Sequence, residues 1–127
     1  FDEKAAAVMG LTKGTVVIMM HSGSRGLGHQ ICSDATAECE RLMKLQGIEV
    51  PDRQLACCRI NSRTGQRYLA AMKCAANYAF VNRSLMARAI RQAFQHIFGK
   101  TAEELEMEVV YDVSHNICKE EVHQVDG

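Results

Sequence analysis

The chain has 127 residues, 47% of them hydrophobic and 24% charged, a composition that suits one globular domain with a core of its own. Its 15 Lys and Arg balance 15 Asp and Glu, which excludes the whole-chain cationic field of a general nucleic-acid binder and makes any polyanion site local. No apolar run approaches the ~20 residues of a membrane span, and no basic-then-apolar leader is present, so a soluble chain without targeting or membrane partners is expected.

Taken in chain order, Glu3 and Lys4 followed by Ala5-Ala6-Ala7-Val8-Met9 predict a short helix closed by Gly10. Thr15-Val16-Val17-Ile18-Met19-Met20 reads as a buried strand. It ends in His21-Ser22-Gly23-Ser24-Arg25-Gly26-Leu27-Gly28-His29, where a rigid strand end would fix His21 while glycines let the backbone turn. Apolar or small residues then recur at Leu27, Ile31, Ala35, Cys39, Leu42 and Leu45, the period of an amphipathic helix ending at Gly47. The glycine loop thus joins a strand to a helix N-terminus, a junction whose free N–H groups attract anions.

Val50-Pro51-Asp52-Arg53 predicts a turn, and Leu55 to Ile60 a short strand with the adjacent Cys57 and Cys58. From Tyr68 to Ile97 an apolar pattern closed by Gly99 predicts one helix of roughly thirty residues, or two broken near Asn82 to Ser84. Thr101-Ala102-Glu103-Glu104 is a capping-box pattern that should open another short helix. Met107 to Val113 reads as a second strand with the polar tip Ser114-His115-Asn116. Residues 117–125 are too short and charged to assign. The expected fold class is α+β, a mixed sheet with packed helices, one of them long. Residues 1–127 form a single segment whose two ends look cut.

Two strands that each deliver a histidine at the C-terminal end favour a shared site at His21 and His115. Arg25 supplies the planar fork suited to phosphate oxygens. The spacing GxxGxG with no following Gly-Lys-Ser/Thr is neither a dinucleotide fingerprint nor a Walker A loop. His29, His96 and His123 read as surface or capping histidines, and Asp34 as solvent-facing. Asp112 either orients the His115 ring or is a plain strand-end carboxylate. The six cysteines form no metal-binding spacing and read as reduced, buried structural thiols.

Three stretches, His21 to His29, Tyr68-Leu-Ala-Ala-Met72 with Ala75-Ala76-Asn77-Tyr78-Ala79, and Tyr111-Asp-Val-Ser-His-Asn116, closely resemble, in this order, the RtcB family of tRNA-splicing ligases. Phe1-Asp2-Glu3-Lys4 and Asp52-Arg53-Gln54-Leu55-Ala56 resemble its eukaryotic branch. The resemblance implies the central part of that family's catalytic fold. It further implies an enzyme of tRNA splicing and RNA repair that joins 2′,3′-cyclic phosphate or 3′-phosphate RNA ends to 5′-hydroxyl ends, with GTP and Mn2+ as cofactors. His21 and His115 would be ligands of a two-manganese centre, Asn116 would help hold the guanylate, and Arg25 would contact RNA phosphate. Such a pair, with ~2.1 Å metal–nitrogen bonds and metals ~4 Å apart, brings the nearest ring nitrogens within about 8 Å, or ~10 Å without metal. The family's Asp-x-x-Cys and Asn-His-Phe motifs would lie before Phe1, and the guanylated histidine with its glycine-rich guanine pocket beyond Gly127, so no catalytic nucleophile is expected here. Cys118 stands where many relatives have alanine, a packing change. Implied partners are RNA, as tRNA exon halves, and, in a eukaryote, archease and a DEAD-box helicase-containing ligase complex, with cytoplasmic and nuclear localisation. The competing readings are a catalytically inactive RNA- or phosphate-binding module and a metal-dependent phosphoesterase.

Overall fold

The computed structural model describes residues 2–125; Phe1, Asp126 and Gly127, on which the reading of both chain ends partly rests, lie outside them. Helix α1 (Glu3–Val8) starts where the Asp2 carboxylate accepts from the Ala5 N–H at 2.9 Å, and Gly10 follows it at φ +70°. Helix α2 (Arg25–Gln46) ends at left-handed Gly47, where the Ile48 N–H reaches back to the Met43 carbonyl at 3.0 Å. Helix α3 (Arg63–Phe98) opens with the Ser62 hydroxyl accepting from the Gly65 N–H at 3.1 Å and ends at left-handed Gly99.

Of the two forms expected for the long helix, the unbroken one is adopted. Asn82 and Arg83 donate to other segments instead of competing for the helix's own backbone. The Ser84 hydroxyl donates to the Phe80 carbonyl at 2.9 Å within the intact helix.

Helices α2 and α3 pack antiparallel, since Gly28 lies opposite Ala75 while Glu38 meets Thr64 and Arg67 further down. Cys39 and Met43 of α2 and Met72, Ala75 and Ala79 of α3 are the buried apolar side chains. Ala75 lies opposite Gly28, where two small residues let the helices approach closely, while Met43 lies under the 57–60 segment, its sulfur accepting from the Cys57 N–H at 3.2 Å. The buried Thr64 hydroxyl donates to the Glu38 carboxylate at 2.7 Å, which fixes the register of the pair. Gly65 is required because a Cβ there would sit 2.5 Å from the Arg59 carbonyl oxygen.

The expected mixed sheet does not form: among the described residues there is no strand. The segments read as strands, 15–20 and 107–113, are present without a hydrogen-bonded ladder, and residues 55–60 follow a single 3-10 turn at Arg53–Leu55 capped by Asp52. An apolar run specifies what a strand would bury, whereas a strand exists only where a neighbour pairs its N–H and C=O groups. Here the side chains that prompted the reading lie open, with Val16 79% and Met19 88% exposed.

The capping box at Thr101 forms reciprocally, Thr101 N–H to Glu104 Oε2 at 2.7 Å and Glu104 N–H to Thr101 Oγ1 at 3.2 Å. No helix follows, because Glu106 turns left-handed at φ +51° and the chain reverses after one turn. The cysteines also differ from expectation. All six are free, but only Cys39 is buried, while Cys32, Cys57, Cys74 and Cys118 are exposed. Among the described residues no helix is long and apolar enough to cross a membrane.

Candidate functional site

His21 and His115 come together at the ends of the two unpaired segments, with ring centroids 5.2 Å apart and ring planes inclined by 54°. Each ring nitrogen lies close to its centroid, so the separation falls within the limit set by a shared pair of metals. Both histidines are exposed.

What holds the two segments is the middle of α3. The Arg83 guanidinium donates through Nε to Asp112 Oδ1 at 2.5 Å and through Nη1 to the Ser22 carbonyl at 3.3 Å, and it lies 4.6 Å from the centroid of the Phe80 ring. One residue earlier, Asn82 Nδ2 donates to Ser22 Oγ at 3.1 Å and to the Gly23 carbonyl at 3.0 Å. Ser22 follows His21 directly, and Asp112 precedes His115 by one short stretch of chain. Asp112 therefore pairs with Arg83; among the described hydrogen bonds none joins it to the His115 ring.

Sequence reasoning missed Asn82 and Arg83 as parts of this site, although a signal for Arg83 was present. Met72, Ala75, Ala79 and Arg83 recur at helical spacing on one buried stripe, and a cation on such a stripe needs a partner.

Arg25 is the first residue of α2 and adopts φ +54°, a left-handed conformation that costs a non-glycine residue ~1–2 kcal/mol. Ser24 makes no side-chain cap there and no acidic residue occupies the first turn, so the exposed guanidinium stands beside helix N–H groups that no cap side chain satisfies. Gly28 fits beneath because a Cβ would lie 1.9 Å from Ser24 Oγ. Asn116 is exposed next to His115. His29 and His123 are exposed and bonded locally to Ser33 and Glu121, and exposed Asp34 accepts from Gln30.

Two imidazoles are donors that first-row divalent metals accept. Among the described residues no third His, Cys, Asp or Glu completes a ligand set with them, so the pair fits as part of a larger donor set. Two buried polar atoms, Arg83 Nη2 and the Oγ of Ser114, the residue before His115, make no hydrogen bond. Away from this site, burial followed by a hydrogen bond to Cys58 pushes the Cys39 thiol up to about 11, which keeps it a neutral packing group.

The whole chain, residues 1–127, matches the family model described as tRNA-splicing ligase RtcB. Three curated relatives carry the same description. They are 54% identical in Methanococcus maripaludis, 53% in Archaeoglobus fulgidus and 50% in Methanocaldococcus jannaschii, in each case over the full chain. The chain spans 26%, 26% and 13% of their respective lengths. All three are archaeal, so they lend the eukaryotic-branch expectation no support.

Proposed function

Because this chain belongs to the tRNA-splicing ligase RtcB family, we propose that it is the segment of an RNA ligase that brings two metal-binding histidines and a phosphate-binding arginine to one site. The reaction is the joining of RNA ends bearing a 2′,3′-cyclic phosphate or 3′-phosphate to ends bearing a 5′-hydroxyl. The observation that carries this reading is the 5.2 Å approach of His21 and His115, which hydrogen bonds from α3 hold from behind.

His21 and His115 would each offer a ring nitrogen to manganese, Asn116 would help hold the guanylate, and the planar guanidinium of Arg25 would contact an RNA phosphate. When bound, manganese supplies Lewis-acid polarisation of phosphoryl oxygens and GTP the guanylate that activates the RNA end. The chain's own contribution is positioning. Helix α3 fixes both segments, and the left-handed backbone at Arg25 holds the guanidinium at the start of α2. The remaining ligands and the nucleophile belong to other parts of the ligase. The same reading takes tRNA exon halves as substrate, archease and a DEAD-box helicase-containing complex as eukaryotic partners, and the cytoplasm and nucleus as location.

In the full-length ligase, His21→Ala and His115→Ala should each abolish manganese-dependent guanylation and RNA joining while the melting temperature changes little, since neither ring is buried. Guanylation at the unsubstituted rate in either variant overturns the metal role. Hydrolysis of the phosphate end without GTP would favour the phosphoesterase, and RNA binding without chemistry the binding module.

A further inference from the structure

We propose that Arg83 is a positioning residue of this ligase, whose single guanidinium ties the His21 loop to the His115 segment and so sets the separation of the two rings. The role in catalysis rests on the reading of those histidines as metal ligands, whereas the geometric link does not.

The Arg83 side chain is 9% exposed, and it is the one charged residue on the buried stripe of α3. A buried cation is costly unless paired, and an apolar residue at this position would pack without that cost. What the charge provides is reach in two directions. Nε meets the Asp112 carboxylate on the segment leading to His115, and Nη1 meets the carbonyl of Ser22, next to His21. Neither segment has a ladder to hold it, so α3 is the rigid body against which both are registered. Asn82 adds two bonds to the Ser22–Gly23 side alone, and Phe80 supports the guanidinium from its face. Arg91 donates to the Met107 carbonyl on the His115 side alone, and among the described hydrogen bonds only those of Arg83 reach both sides. A lysine here would keep the charge but could not hold two acceptors in fixed directions.

The test uses the full-length ligase with selectively labelled histidine rings. In the metal-free protein, the His21–His115 ring-to-ring nuclear Overhauser effect should be lost in Arg83→Met and weakened in Arg83→Lys; its persistence at full strength in Arg83→Met overturns the proposal whatever the metal does. Titration with Mn2+ alone should then show an affinity ~10–100-fold lower in Arg83→Met. In steady state kcat, referred to the folded fraction measured by circular dichroism so that general destabilisation does not enter, should fall with KM for RNA unchanged. Wild-type Mn2+ affinity in Arg83→Met, with binding abolished in His21→Ala, defeats the positioning role while leaving the ligand assignment standing. Wild-type Mn2+ affinity in His21→Ala itself defeats the ligand assignment instead. Should Arg83→Met fail to fold, Asp112→Asn carries the same measurements at a side chain that is 35% exposed. A lost ring contact there supports the link, and an unchanged one overturns it.

Discussion

Arg25 combines a charge suited to phosphate with a backbone conformation that an ordinary helix start would avoid. Replacing it by glycine should relieve the strain and raise the midpoint of urea unfolding slightly, yet lower RNA joining, an opposition that separates function from stability. Arg25→Lys keeps the charge but loses the planar fork, and should reduce kcat/KM for joining about 10-fold, or ~1.4 kcal/mol of transition-state binding. Equal joining by the lysine variant would reduce Arg25 to a point charge. Cys39 makes the contrasting case of a buried group shaped by its surroundings alone. Its thiol is pushed up to about 11 by burial and by Cys58, so the folded state holds that proton more tightly than the unfolded chain does. The associated stability is fully present below the ordinary thiol range and is lost as pH rises through about 11. Iodoacetamide at pH 8 should therefore modify the exposed Cys32, Cys57, Cys74 and Cys118 well before Cys39, as peptide mapping over time would show; early labelling of Cys39 would contradict the packing described.

At the level of elements, the pairing of α2 with α3 depends on small residues where backbones meet. Gly65→Ala would place a methyl against the carbonyl oxygens of Arg59 and Ile60, at 2.5 and 2.7 Å, and backbone cannot yield as a side chain end can. The expected cost is about 1–3 kcal/mol, read as a lower urea midpoint at unchanged m; an unshifted midpoint would show that the 59–60 turn moves freely. These two helices were legible in the sequence because their determinants are local: apolar spacing, and Gly47 and Gly99 at the ends. The extended segments were legible only as apolar runs. Whether such a run becomes a strand depends on a neighbour that no local pattern contains, which is why residues 15–20 and 107–113 were assigned to a sheet that the described residues do not form. The same division holds within the site. The matched tips of two apolar runs pointed to His21 and His115, whereas the bridge through Arg83 joins residues about sixty and thirty positions from it, and only the charge on a buried stripe hinted that such a bridge was needed.

For the molecule as a whole, the accessible surface is 10964 Å², against ~6,700 Å² expected for a compact monomer of 14.1 kDa. The excess is apolar where it matters: Val17, Ile18, Val109, Val110, Tyr111 and Val113 are all exposed along the two unpaired segments, and their backbones present N–H and C=O groups with no ladder. The chain spans about a quarter of the length of the relatives from Methanococcus maripaludis and Archaeoglobus fulgidus, and on the proposed reading these segments would be buried against the rest of the ligase. The surface thus carries two expectations for the isolated 127-residue chain. It should bind the dye ANS strongly and associate at micromolar concentration through the open segments, whereas the full-length ligase should do neither. It should also fail to join RNA or take up a guanylate, because on the proposed reading it supplies two histidines and an arginine to the site but neither, among the described residues, a completed ligand set nor the nucleophile on which a covalent mechanism depends. A monomeric chain that excludes ANS would show that residues 15–20 and 107–113 find partners within this segment, and a stable guanylate adduct on it would place the nucleophile here after all.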